Sequence, residues 1–130
     1  MNTSPDHIFD LATSLDAEGG ARISITGDLD WDTAEELTAA ARLCLGAEPP
    51  PRRLHLDCAR MTLCDSLGLA SLLMIHRAAS GSATRLHLEN RPTALQRLLE
   101  MTGTADLFTD RADESGQGGA TRPPLPPRQP

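Results

Sequence analysis

The sequence predicts an α/β domain with a four- to five-stranded mixed sheet and helices mainly on one face. Three observations predict it. Two near-identical runs, Arg53-Leu54-His55-Leu56-Asp57 and Arg85-Leu86-His87-Leu88-Glu89, alternate apolar and polar residues as strands do. Between them lies Ala70-Ser71-Leu72-Leu73-Met74-Ile75, a stretch apolar on nearly every side that reads as a buried helix. Strand, helix, strand at this length is a crossover unit, so the two strands should be parallel neighbours. The Leu positions face a covered side, and the Arg, His and acidic positions face a wetter one.

The other elements follow in order. His7 to Ala12 reads as a weak strand, and Asp16-Ala17-Glu18-Gly19-Gly20 as a turn. Arg22 to Thr26 alternates and is β-branched, and it completes a hairpin with the first strand. Asp28-Leu29-Asp30-Trp31 leads into a helix through a capping box, Asp32 with Glu35 or Thr33 with Glu36. Leu37, Ala40, Ala41, Cys44 and Leu45 lie on one helical face. Gly46 closes that helix, and Pro49-Pro50-Pro51 prevents its continuation. Pro92 opens a last helix with Leu95, Leu98 and Leu99 buried and Gly103 as its left-handed cap. Leu107 and Phe108 form a final apolar anchor. The domain is read as residues 1–110, and 111–130 as a disordered Pro/Gly-rich tail. Within that tail, Arg122 to Arg128 has the composition of a polyproline ligand, although an inert tail is the simpler reading.

Composition excludes several functions. The net charge is −6, and all 12 basic residues are Arg. An acidic chain without a basic cluster is a poor ligand for nucleic acid or for anionic membranes. Three cysteines, an N-terminus unlike a secretion signal and no long apolar stretch point to a cytoplasmic protein with free thiols. Cys58 and Cys64 do not have metal-ligand spacing, and His55 with His87 lacks a third convergent ligand, so no metal is expected. No phosphate-binding loop or dinucleotide fingerprint is present, so no cofactor is expected.

Chemistry concentrates at Cys64-Asp65-Ser66-Leu67-Gly68-Leu69, a polar pair at the start of the central helix. The first turn of a helix carries unpaired N–H groups, so Ser66 can cap the helix, accept a modification or sit beside a bound anion. Capping is the plain structural reading. A serine hydrolase is the alternative from another class. It lacks the glycine that precedes a nucleophile elbow, a position held by Cys64, and it lacks a suitably placed His base. The chain is therefore read as a non-enzyme.

Taken together, these motifs resemble the STAS domain family, and within it the anti-sigma-factor antagonists. Gly27-Asp28-Leu29-Asp30 with Thr33-Ala34-Glu35-Glu36-Leu37 resembles the family's Gly-x-Leu-Asp…Thr-Ala segment. Leu56-Asp57 with Met61 to Leu69 resembles its central strand and Asp-Ser-Ser-Gly-Leu motif. Leu98 to Gly103 resembles its last helix and exit. The likeness spans roughly residues 5 to 110. It implies protein–protein regulation of transcription by partner switching. The implied partner is an anti-sigma factor that is also a serine kinase of the histidine-kinase-like ATPase type. The implied contact residues are Asp28, Asp30, Trp31, Asp65, Ser66, Leu67 and Gly68, with Gly68 giving the partner close approach. Read this way, the resemblance places the phosphoacceptor at the motif's second Ser, where this chain has Leu67, and leaves Ser66 to cap the helix. The chain would then be a permanent antagonist, or a phosphorylation-independent scaffold or decoy. It is expected to be a monomer or weak dimer.

Because the tail buries almost nothing on composition, truncation after Ala112 should leave the melting temperature within a few degrees of the full chain. A large drop in a thermal melt would show that the tail packs on the domain.

Overall fold

The computed structural model describes residues 9–108. The element order is β1 (Phe9–Leu15), β2 (Gly20–Leu29), α1 (Ala34–Leu45), β3 (Arg53–Cys64), α2 (Ser66–Gly81), β4 (Arg85–Glu89) and α3 (Thr93–Met101), followed by a 3-10 turn, Ala105–Phe108. The sheet order is β1-β2-β3-β4. β1 and β2 form the expected antiparallel hairpin, while β2, β3 and β4 run parallel. The two twin runs are neighbours in register, with Arg53 opposite Arg85 and Asp57 opposite Glu89. This is a four-stranded mixed α/β sheet, as expected.

Alternation explains the core. Ile23 and Ile25 of β2, with Leu54, Leu56 and Cys58 of β3, are buried on the helix side. Leu37, Ala41 and Leu45 of α1, Leu72 and Ile75 of α2, and Leu95 and Leu99 of α3 close over them. With so few aromatics, the core is filled mostly by aliphatic side chains. Phe108 is the one aromatic ring among the fully buried described residues. It is buried, with its ring edge-on to His76 at 5.6 Å between centroids. Leu107 remains half-exposed and is not part of the anchor.

Several boundaries differ from the sequence reading. β1 runs to Leu15 rather than Ala12, and His7 lies outside the described residues, as does the tail. Gly46 follows α1 without a left-handed conformation, at φ −85°, whereas Gly103 has the positive φ expected of a cap, at +74°. β3 continues to Cys64 instead of ending at Asp57. Its pairing with β2 shifts between Ser24/Thr26 and between Gly27/Asp28, each time fitting an extra β3 residue. Bulges of this kind break the two-residue period and strengthen local twist.

The other face of the sheet carries a polar network. Arg22 donates to Glu89 at 2.7 Å, and His55 Nδ1 lies 2.7 Å from the other Glu89 oxygen. Asn90 donates to Asp57 at 3.0 Å. His55 and His87 stack at 4.9 Å, and His87 is buried rather than solvent-facing as the sequence reading had it. Among the described residues no three ligating side chains converge on a metal site. No helix among them is long and apolar enough to cross a membrane.

Glu89 is held below its ordinary value of 4.5. Partial burial pushes it up, but hydrogen bonds from Arg22 and His55 outweigh that push. A carboxylate with a depressed folded pKa stabilises the fold above its unfolded pKa, and that contribution is lost as pH falls through the folded value. Wild type should therefore lose stability below the ordinary carboxylate range more steeply than Glu89→Gln. Thermal melts over a descending pH series test this. Parallel curves for the two proteins would show that the network carries no pH-dependent stability.

Candidate functional site

The extension of β3 builds the site. β2 and β3 stay paired up to Leu29 and Cys64, so the loops leaving their carboxyl ends emerge side by side. One loop holds Asp30 and Trp31, and the other holds Asp65 and Ser66. Asp65 N donates to the carbonyl of Leu29 at 3.2 Å and fastens the second loop to the first strand.

The β2–α1 loop is a compact turn. Asp30 Oδ1 accepts from the amides of Asp32 and Thr33 at 3.0 and 3.2 Å. Thr33 Oγ1 donates to the Asp28 carbonyl at 2.7 Å and accepts from Asp30 N at 3.0 Å. The expected capping box does not form. Thr33 is the N-cap by position, but its hydroxyl is turned back into the loop and makes no cap bond. Asp30 thus organises the turn. Asp28 reaches across to β3, accepting from the Thr62 hydroxyl at 2.6 Å. Trp31, held at the tip of the turn, is 71% exposed.

At the start of α2 the capping assignment changes. The N-cap is Asp65, not Ser66. Its backbone is extended, and its Oδ1 accepts from Gly68 N at 2.8 Å. A carboxylate is well suited to this place, facing the positive end of the helix. Ser66 is therefore the first helical residue, and its side chain is exposed and makes no hydrogen bond among the described residues. Leu67 is 53% exposed beside it, and Leu63 is 46% exposed on the strand that leads in. The surface thus combines apolar side chains with the carboxylates of Asp28, Asp30, Asp32 and Asp65. The sequence reading did not single out Leu63, because it took that residue for loop.

Gly68 belongs beneath this surface rather than on it. It is buried, and a Cβ there would collide with the Leu29 carbonyl oxygen and stand 3.0 Å from Cys64 Sγ. Its role is to let α2 approach the end of β2. The expectation that it gives a partner close approach is corrected accordingly: the close approach is that of α2 to β2.

The cysteines near the site are not activated thiols. Burial pushes the Cys58 thiol up to about 12 and the Cys64 thiol to about 11. The described histidines are engaged elsewhere: His55 with Glu89, His87 with His55, and His76 with Phe108. No base accompanies Ser66 among the described residues, so the geometry gives the hydrolase alternative no support.

A family model described as "Mlab, STAS domain" matches residues 13–109, three quarters of the chain. The chain belongs to the STAS domain family. Solved structures with the same fold include an anti-sigma factor antagonist from Mycobacterium paratuberculosis, 24% identical, with a TM-score of 0.68 over 82% of this chain and 87% of that one. The Bacillus cell fate determinant SpoIIAA in its phosphorylated form is 16% identical, with a TM-score of 0.62 over 83% of this chain and 100% of that one. A sulfate transporter family protein from Wolinella succinogenes is 18% identical, with a TM-score of 0.64 over 75% and 77%. No curated protein matches the chain. The STAS fold is thus shared by proteins described as antagonists and by a member of a transporter family.

The contact between Gly68 and Leu29 yields a direct test. Gly68→Ala forces a methyl group against the Leu29 carbonyl, which already accepts from Asp65 N, and should cost about 1–3 kcal/mol. Urea unfolding should show this as a lower midpoint. An unchanged midpoint would mean that α2 can step back from β2 without loss.

Proposed function

We propose that this STAS domain is an anti-sigma-factor antagonist. It docks on an anti-sigma factor that is also a serine kinase of the ATPase type, through Asp28, Asp30, Trp31, Asp65, Ser66 and Leu67. The observation that carries this reading is a single surface on which an exposed indole, an exposed leucine, an acidic rim and an unengaged serine hydroxyl meet. Exposed aromatic side chains ringed by polar groups are the usual anchors of protein interfaces. The fold shared with proteins described as antagonists supports the same reading.

We further assign Ser66 as the phosphoacceptor. The sequence reading placed the acceptor at residue 67 and occupied Ser66 with capping. With Asp65 as the cap, that physical reason is gone. Ser66 carries the hydroxyl, it is exposed, and it lies at the positive end of a helix, where a phosphate is tolerated. In the transfer, Ser66 Oγ attacks the γ-phosphorus of the kinase's nucleoside triphosphate. The bond from that phosphorus to the bridging oxygen breaks, the diphosphate leaves, and the serine proton passes to a base on the kinase. About −2 of charge is then added beside Asp65, in the middle of the contact surface, and the complex separates.

The test uses purified ATPase-fold serine kinases from the source genome, with ATP and intact-mass measurement. A kinase that binds the chain should add one phosphate, mapped to residue 66 and absent in Ser66→Ala. Trp31→Ala should weaken binding about tenfold or more without lowering the melting temperature. If a binding kinase modifies Leu67→Ser at residue 67 but leaves wild type unmodified, the acceptor assignment is wrong. The phosphorylation-independent scaffold, which the exposed Leu67 favours, would then hold. Failure of every such kinase to bind would overturn the antagonist reading.

A further inference from the structure

Asp65 does more than cap α2. Its two carboxylate oxygens serve different segments. Oδ1 accepts from Gly68 N at 2.8 Å, inside the first turn of α2. Oδ2 accepts from Trp31 N at 3.2 Å, across a separation of 34 residues. The neighbouring amides of Asp32 and Thr33 are satisfied within their own turn by Asp30. The Trp31 amide instead depends on Asp65. One side chain therefore joins the residue beside Ser66 to the loop that displays the exposed indole.

We propose that Asp65 is a positioning residue that couples the charge on residue 66 to the set of the Trp31 loop. This rests on the assignment of Ser66 as the modified residue. The unmodified chain holds Trp31 through Oδ2. A phosphate on Ser66 Oγ, at the first position of α2, brings about −2 of charge and three acceptor oxygens to the same helix terminus. It then competes with Asp65 for the free N–H groups of the first turn and repels its carboxylate. The bond to Gly68 is the shorter and lies in a part-buried place, whereas the bond to Trp31 is longer and exposed. The Trp31 bond is the one surrendered. Phosphorylation thus changes the shape of the docking surface as well as its charge, because the aromatic anchor loses its fixed backbone.

The coupling is testable without kinase or partner. The full chain is made with phosphoserine incorporated at position 66, and backbone amide exchange is followed residue by residue by NMR. The Trp31 amide should exchange about tenfold faster than in the unmodified chain, the change for losing one charge-assisted hydrogen bond. The fluorescence anisotropy of Trp31, the sole Trp, should fall. Asp65→Ser keeps a capping oxygen for Gly68 but has no second oxygen for Trp31. In that variant the Trp31 amide should exchange at the faster rate already, and phosphoserine should change it no further. Equal Trp31 exchange in the modified and unmodified chains would overturn the proposal. So would a phosphoserine effect that persists in Asp65→Ser. Neither arm involves the kinase, so failure of this coupling and failure of the antagonist reading are separate results.

Discussion

The closeness of Gly68 to the Leu29 carbonyl is the constraint on which the rest of the site depends. That carbonyl ends β2, accepts the Asp65 amide and leaves no room for a side chain at residue 68. With hydrogen at that Cα, α2 can start directly against the strand. Asp65 then falls within reach of both Gly68 N and Trp31 N, and Ser66 projects outward. A methyl group at residue 68 would displace the helix, and the two loops would part. The surface is therefore a product of backbone packing first and of side-chain chemistry second.

Support for that contact comes from further down the sheet. The parallel pairing of β2 with β3 carries the chain past two bulges to the paired residues Leu29 and Cys64. On one face the strands are fixed by aliphatic burial under three helices. On the other they are tied by Arg22, His55, Asp57, Glu89 and Asn90, which link β2, β3 and the end of β4. Part-exposed ion pairs such as these add little net stability in general. Here they specify register, because a one-residue slip would exchange the polar and apolar faces.

Much of this was legible in the sequence. The twin runs at Arg53 and Arg85 disclosed the parallel pair, since alternation over five residues is a clean signal. The apolar stripes of α1 and α3 and the left-handed cap at Gly103 were legible for the same local reasons. The end of β3 was not. Ala59 and Arg60 are both exposed where the bulge interrupts the period, so a pattern that reads alternation stops at Asp57. The cap of α2 was misassigned because Asp and Ser both cap well and stand side by side. Only the backbone decides which lies outside the helix. The burial of Gly68 depends on the Leu29 carbonyl, 39 residues earlier, and no local pattern carries that information. The link between Asp65 and Trp31 was hidden for the same reason.

The raised thiol of Cys64 bears on the redox character of this end of the sheet. At neutral pH a thiol with a pKa of about 11 is thiolate in roughly one molecule in ten thousand, and the thiolate is the form that peroxides and disulfides attack. Cys64 is two residues before Ser66, and Cys58 lies on the same strand, more deeply buried still. Neither sulfur is therefore an activated thiolate of the kind that oxidants attack first. The chain thus places soft sulfur atoms close to Ser66 yet keeps them protonated, so the exposed hydroxyl stands beside thiols rather than thiolates.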